Sequence, residues 1–386
     1  MRKSPDVAVI GLGGMGAAIT YELARRGAAV LGIDSHEPPH DRGSTHGRSR
    51  IIREAYFEHP LYVPLVQRAY ELWSELEELT GVVIQRRTGG LNIGPRDGAL
   101  VRGALASALT HDLEHELLDA EGIRRRFPGL LPDPEHAGVY EPRAGALAPE
   151  AAVRTFLHLA RGHGADIRTG TRVTGWHAAA SGDVVLETTG GSLHAPLVVF
   201  AAGPWLNSLL ASDTTANTTP LQLQLAVERQ YTLSFAPAPG VHAFRADQCP
   251  IALWEYDTGR FFYTFPDMGH GVKAGIHHEG DVTDPSAVDV VVSAAEEGRV
   301  RSMVDACMPG AAHRMLDAAV CLYTNTPDRH FLLDLHPGHR QVLLVSPCSG
   351  HGFKFAAAIG EAVAEWLLEG GSRFDLTPFN VARLLR

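Results

Sequence analysis

The sequence predicts an α/β protein in two interleaved parts: a Rossmann-like nucleotide-binding domain assembled from both ends of the chain, and an α+β domain with an antiparallel sheet, discontinuous because it is inserted in pieces. Three observations carry this. A strand, a glycine-rich turn and a helix open the chain; apolar runs of buried-strand type return at 197–203 and 343–345; and 221–319 is richer in aromatic and alternating residues. Alternation marks a sheet with one face on a core, whereas continuous apolar runs mark a parallel sheet covered on both faces.

The first strand is Asp6-Val7-Ala8-Val9-Ile10, which runs directly into Gly11-Leu12-Gly13-Gly14-Met15-Gly16. A helix follows, with Ala17, Ala18, Ile19, Leu23 and Ala24 on its apolar side and Gly27 placed to end it. The second strand, Ala29-Val30-Leu31-Gly32-Ile33, stops at Asp34. In such a βαβ unit the glycines let backbone approach a pyrophosphate held at the helix N-terminus, and the acid meets ribose hydroxyls. A glycine fingerprint alone is weak; with a strand before it, a helix after it and an acid at this spacing it predicts dinucleotide binding.

A polar loop spans Gly43 to Arg53, and an amphipathic helix then places Tyr62, Leu65, Val66, Ala69, Leu72, Trp73, Leu76 and Leu79 at helical spacing. Leu91-Asn92-Ile93 reads as a strand, followed by short helices broken by Pro128, Pro132 and Pro134. Pro149 starts a helix that ends at Gly162 or Gly164, and short strands are expected at Thr171–Val173 and Val184–Glu187. Leu197-Val198-Val199-Phe200, ending in Ala201-Ala202-Gly203, is a buried parallel strand; Leu343-Leu344-Val345 and the helix after Gly352 return to the same style. The expected division is 1–87, 141–220 and 320–386 for the nucleotide domain, and 88–140 with 221–319 for the second domain.

With 386 residues, 45% of them hydrophobic, the chain is long enough for two domains with a sizeable core. A net charge of −10 and a pI near 6.0 argue against nucleic acid or an anionic membrane as partner. Arg2 and Lys3 before an apolar stretch imitate a signal peptide, but Asp6 and the glycines break its apolar region. A cytoplasmic protein without membrane spans is expected. Cys249, Cys307, Cys321 and Cys348 have neither CxxC nor zinc spacing, the histidines are scattered, and strand alternation would send His277 and His278 to opposite faces. No metal is predicted.

Only three of the 34 lysine and arginine residues are lysine: Lys3, Lys273 and Lys354. Lys is the compact cation whose proton affinity moves on burial, so a lysine kept in a chain written in arginine points to chemistry. Lys273 lies in the strand-like Gly271–His277, and Lys354 follows the Gly-rich Ser349-Gly350-His351-Gly352-Phe353 that opens a helix.

Gly43-Ser44-Thr45-His46-Gly47 with Arg50-Ile51-Ile52-Arg53, Val320-Cys321-Leu322-Tyr323-Thr324, Ser349 to Phe355 and Phe374-Asp375-Leu376-Thr377-Pro378-Phe379 together resemble the monomeric sarcosine oxidase and N-methyltryptophan oxidase family. That family belongs to the amine-oxidising branch of the D-amino-acid-oxidase-like flavoproteins. The resemblance implies FAD rather than NAD, bound covalently through Cys321; on its own Cys321 reads as a small buried cysteine, the commonest fate of an intracellular cysteine. It implies a cofactor set of Gly11, Gly13, Gly14, Met15, Gly16, Asp34, Ser44, Arg50, Val173, Gly203, Cys321, Gly350, Gly352, Phe353 and Lys354. Arg53 and Lys354 would clamp a substrate carboxylate beside Tyr323 and His351, although Arg53 also fits a structural ion pair with Glu54 or another acid. Lys273, Arg50, Tyr263 and His277 would be catalytic, Lys273 as the charge that assists oxygen, while His277 fits a merely hydrogen-bonded histidine equally well.

The implied activity is oxidation of the C–N bond of a secondary amino acid, sarcosine or a similar N-methyl amino acid, to an imine, with O2 reduced to H2O2 by a monomeric enzyme. A cyclic or bulkier amine such as pipecolate or N-methyltryptophan is the alternative substrate, and Trp254 is expected either to narrow the pocket or to stack on an aromatic substrate. A non-catalytic flavin-binding protein is the reading from another class, and retention of Arg53, Lys273 and Lys354 argues against it. An NAD-dependent dehydrogenase is the remaining competitor.

Overall fold

The computed structural model describes residues 4–385, so Arg2 and Lys3 lie outside the described residues. The nucleotide part is a six-stranded sheet in the spatial order Leu332–His336, His339–Ser346, Leu197–Phe200, Val7–Ile10, Val30–Ile33, Asp166–Arg168. It is parallel except for the hairpin of its first two strands. Both faces are covered, which is why its central strands are apolar throughout. On one face Val7 and Val9 pack under helices Gly14–Arg25, Val63–Thr80, Pro149–Gly162 and Ala356–Glu369; on the other Ala8, Ile10, Leu31 and Ile33 meet Trp176, Val184 and Leu186 of a three-stranded antiparallel sheet.

The opening turn is dictated by close approach. Gly11 sits at φ +91, and a Cβ there would lie 2.5 Å from the carbonyl oxygen of Ala201. One helical turn on, a Cβ at Gly16 would come within 1.7 Å of the Gly11 carbonyl oxygen, so Gly16 serves helix–strand packing. The C-terminal ends of Val7–Ile10, Val30–Ile33 and Leu197–Phe200 therefore open together on one side of the sheet, where ligands of open α/β sheets bind.

A second, eight-stranded sheet faces that opening, in the order Arg314–Asn325, Ala226–Ala236, Val272–His277, Arg260–Phe265, Ile251–Asp257, Gly90–Pro95, His136–Glu141, Glu116–Asp119. All its pairings are antiparallel except that of Ile251–Asp257 with Gly90–Pro95. Strand Arg314–Asn325 pairs with Ala226–Ala236 along its length, so the expected boundary at residue 320 falls inside a strand, and Cys321 and Tyr323 stand on the second sheet. Three local differences have simple causes. The strand expected from Thr171 starts at Val173, after Thr171 has bonded back to Asp34. Within the loop 43–53, Arg50–Ile52 is a strand because Gly145–Leu147 offers it an edge. Leu79 is 63% exposed in the last turn of its helix, beyond the reach of the core.

Candidate cofactor and substrate site

Between the two sheets runs a cavity of about 1030 Å³. At one end lie Asp34, Ser35 and Val173; along it Gly11, Gly13, Gly14, Met15, Ser44, Arg50 and Gly203; at the far end Tyr263, Lys273, His277, Cys321, Tyr323, Arg53 and the turn Gly350–Lys354, with His351, Gly352 and Phe353. The residues picked out in the sequence thus share one space, with the exception of Gly16, which faces the Gly11 carbonyl.

At the nucleotide end, the N-cap residue of helix Gly14–Arg25, Gly13, gives no side-chain cap, and although Gly14 N–H donates to Thr45 Oγ1 at 3.2 Å, the N–H groups that follow in the first turn are left for an anion. Asp34 accepts from the backbone N–H of Leu12 and of His36, both at 2.8 Å. Burial works to raise its pKa, but bonds from His40, Leu12 and His36 prevail and hold it below the ordinary carboxylate value. It is therefore an ionised acceptor, suited to ribose hydroxyls. The length of the cavity, the uncapped helix terminus and this acid fit an adenine dinucleotide.

At the other end the electrostatics are set by buried cations. Lys273 Nζ donates to the carbonyls of Gly47 (2.7 Å) and Ser49 (3.0 Å) and to Ser49 Oγ (3.1 Å), with no carboxylate partner among the described residues. Burial, and then the nearby Arg50, push its pKa down to about 7. Arg50 is fixed by donating to the carbonyls of Ser44 (2.7 Å) and Ser49 (2.8 Å). Cys321 is buried between these groups: burial raises its thiol pKa, while Arg50 and Lys273 favour the thiolate.

Arg53 is fully enclosed. Its Nη2 donates to both carboxylate oxygens of Glu58 (2.8 and 2.9 Å) and its Nη1 to the Ala55 carbonyl (2.9 Å). Glu54, the first acid considered for this pairing, bonds Arg143 instead, at 3.1 Å. Lys354 donates to the His351 carbonyl (2.6 Å) and lies 3.4 Å from the Tyr56 hydroxyl. Burial, then Arg53, lower its pKa to about 7, while Glu58 opposes them. Glu58 and Tyr56 were not picked out from the sequence. Their only signal was position, five and three residues after Arg53 in a segment that must fold back on it.

His351 Nε2 bonds the Arg329 carbonyl at 3.0 Å, which requires a proton there; Nδ1 then accepts from the Tyr56 hydroxyl at 2.5 Å. The ring is thus committed to its neighbours while its face lines the cavity. His277 Nδ1 lies 3.4 Å from the Tyr323 hydroxyl, and burial, reinforced by His278, keeps His277 neutral. The two histidines do not part company as alternation predicted. The strand ends at His277 and His278 turns at φ +62, so the rings sit 4.2 Å apart and both lie against Tyr323. Trp254 does not reach the cavity. It stacks on Phe262 in the core behind the sheet and donates to Thr264 Oγ1, and the residue beside it, Leu253, lines the cavity opposite Tyr263.

The family model described as FAD dependent oxidoreductase (DAO) matches residues 6–366. A protein named monomeric sarcosine oxidase from Streptomyces avermitilis is 40% identical over 100% of this chain and 99% of its own length. One named N-methyl-L-tryptophan oxidase from Salmonella dublin is 35% identical over 98% of each. The crystal structure of an L-proline dehydrogenase from P. horikoshii superimposes with a TM-score of 0.86 over 100% of both chains at 22% identity, a likeness of fold.

Gly350 gives the site its tightest joint. At φ +77, a Cβ there would fall 2.5 Å from the Tyr323 ring and 2.9 Å from His277. Gly203, at φ +51, has open space around it. Gly350→Ala should therefore cost about 1–3 kcal/mol from backbone strain with ring displacement added, against about 1–2 kcal/mol for Gly203→Ala from conformation alone. Urea unfolding of both variants checks this, and equal losses would mean that the two rings yield freely.

Proposed function

The chain belongs to the FAD dependent oxidoreductase family and is a flavin-dependent amine oxidase, and we propose that its substrates are secondary amino acids of the sarcosine type. In this reading the C–N bond is oxidised to an imine that water hydrolyses, and O2 becomes hydrogen peroxide. The observation that carries it is the pair of buried cations, Arg53 and Lys354, at one end of a cavity whose other end fits a dinucleotide. A small carboxylate held by two fixed cations is oriented as well as bound.

FAD, when bound, supplies the two-electron oxidation of the amine and the transfer of those electrons to oxygen. The turn Gly11–Gly16 and Asp34 would hold its pyrophosphate and ribose, with Ser44, Val173, Gly203, Gly350, Gly352 and Phe353 along its length. Arg53 is engaged with Glu58, so an incoming carboxylate takes over one of those contacts. Arg50 and Tyr263 border the reacting region, where neutral His277 accepts hydrogen bonds and Tyr323 and His351 close the pocket. Leu253, rather than Trp254, sets the apolar wall. Lys273 has only neutral oxygen partners, so its charge is not cancelled and is free to stabilise negative charge developing on oxygen. Cys321, with Arg50 and Lys273 favouring its thiolate, is the point of covalent attachment we propose. Relatives whose names call them monomeric support a monomer, and we take the cytoplasm as its compartment.

A screen of N-methyl and cyclic amino acids for peroxide release tests the substrate class directly, with N-methyl amino acids expected as the best substrates. Arg53→Ala should weaken binding of carboxylate-bearing substrates by about 1.5–3 kcal/mol, the scale of one charge-assisted bond, and affect amines without a carboxylate far less. Equal losses for both kinds would assign Arg53 to the fold.

Acid precipitation of wild-type protein should leave the yellow cofactor with the polypeptide, and Cys321→Ala should release it. Release from the wild type as well would remove the covalent link while leaving the oxidase reading intact.

Lys273→Met is expected to lower kcat/KM for oxygen by about 10²–10³, the effect of losing one preorganised charge, with kcat/KM for the amine changed far less. Steady-state kinetics over a range of oxygen concentrations separate the two. An unchanged oxygen dependence would make Lys273 a structural cation.

A further inference from the structure

Tyr56 is fully buried and touches both members of the clamp. The Arg53 guanidinium lies 4.4 Å from its ring centroid and the Lys354 ammonium 5.1 Å. Its hydroxyl meets His351 Nδ1 at 2.5 Å and Lys354 Nζ at 3.4 Å. The direction of these bonds is forced. His351 spends its one ring proton on the Arg329 carbonyl, so Nδ1 is an acceptor and the Tyr56 hydroxyl must donate to it. With its proton pointed at His351, the hydroxyl oxygen presents lone pairs to Lys354, which has no choice but to donate.

We propose that Tyr56 is a positioning residue that keeps the Lys354 ammonium charged and aimed at the substrate carboxylate, through a relay running from the Arg329 carbonyl through His351 to the Tyr56 hydroxyl. This inference rests on the reading of Arg53 and Lys354 as a carboxylate clamp. Two like charges buried together repel, and each loses its water; a π face beneath both and an oriented oxygen beside one offset part of that cost. The acceptors of Lys354 named in the fold are the His351 carbonyl and the Tyr56 hydroxyl, which leaves the third ammonium proton for a ligand. The charged and titratable groups around it are Arg53 and Glu58 on the loop that carries Tyr56, His351 on its own turn, and His277 on the strand across the cavity. Arg53 lowers its pKa, Glu58 raises it, and the two histidines stay neutral at the pH values used below, so the Tyr56 oxygen joins the His351 carbonyl in favouring the ammonium.

Tyr56→Phe keeps the ring, its packing against Tyr62 and Phe355 and its π face, and removes only the relay. Acetate is the probe, titrated into flavin-loaded enzyme between pH 5.5 and 8.5 and followed by flavin absorption. Loss of an acceptor disfavours the charged amine, so the midpoint above which acetate affinity falls should move about one pH unit toward acid, the scale of one lost hydrogen bond. Wild type and variant should then bind nearly equally at pH 5.5 and differ about tenfold at pH 8. A Tyr56→Phe profile that superimposes on the wild type overturns the proposal and makes Tyr56 a packing residue. Lys354→Met separates this from failure of the clamp itself. If it leaves acetate affinity unchanged, both the clamp and the role of Tyr56 fall; if it abolishes the affinity while Tyr56→Phe does nothing, only the role of Tyr56 falls.

Discussion

Keeping positive charge out of water and still ionised is the constraint around which this molecule is arranged. Lys273 is 7% exposed, and its hydrogen-bond partners among the described residues are all uncharged oxygens. An isolated buried ammonium sheds its proton unless dipoles are fixed around it. The dipoles here are the carbonyls of Gly47 and Ser49, which point inward because the chain passes through Gly47 at φ +91 and Arg48 at φ +71. Arg50 then ties the same loop to Ser44, so the segment that brackets the nucleotide cradle on one side is the cage of Lys273 on the other.

The acids are placed with equal economy. Glu141, buried, accepts from the backbone N–H groups of Glu54 (2.8 Å) and Ala55 (2.6 Å), and so pins the segment that presents Arg53 and Tyr56. Glu255 accepts from the N–H groups of Ala99 (3.2 Å) and Leu100 (2.9 Å) at the start of a helix, and serves as its cap from a neighbouring strand. Glu58 faces Arg53 inside the cavity. Carboxylates bound to backbone stabilise the frame; the one bound to Arg53 stands where, in the proposed reading, a substrate carboxylate would compete. Because Arg53 hangs from a loop and the lysines from a strand and a helical turn, the site exists only when the two sheets face each other at this separation.

Where sequence reasoning erred, the misses share a cause. Alternation names two faces of a strand but not which is the core, so Trp254, expected at the pocket, stacks instead on its cross-strand neighbour Phe262 in the core, and Leu253 faces the cavity. Alternation also presumes that the strand continues, and it stops at His277, which brings His278 back beside its neighbour. The boundary at residue 320 failed because apolar runs give no sign of which sheet will hydrogen-bond them. Arg314–Asn325 found its partner in Ala226–Ala236, nearly a hundred residues earlier.

Local chemistry was decided by the sequence itself: the βαβ turn, because only glycine admits the close approaches at Gly11 and Gly16; the apolar parallel strands, because burial on both faces permits little else; and Lys273 and Lys354, because nearly every other basic position is written as arginine. Tertiary structure decided how far each group departs from its ordinary behaviour. That Lys354 sits near neutrality, that His277 stays uncharged, that Arg53 is held by Glu58 and Lys354 by Tyr56 are matters of burial and of neighbours distant along the chain. Proton affinity is a property of surroundings, and surroundings assembled from residues some three hundred positions apart have no signature in the order of the residues.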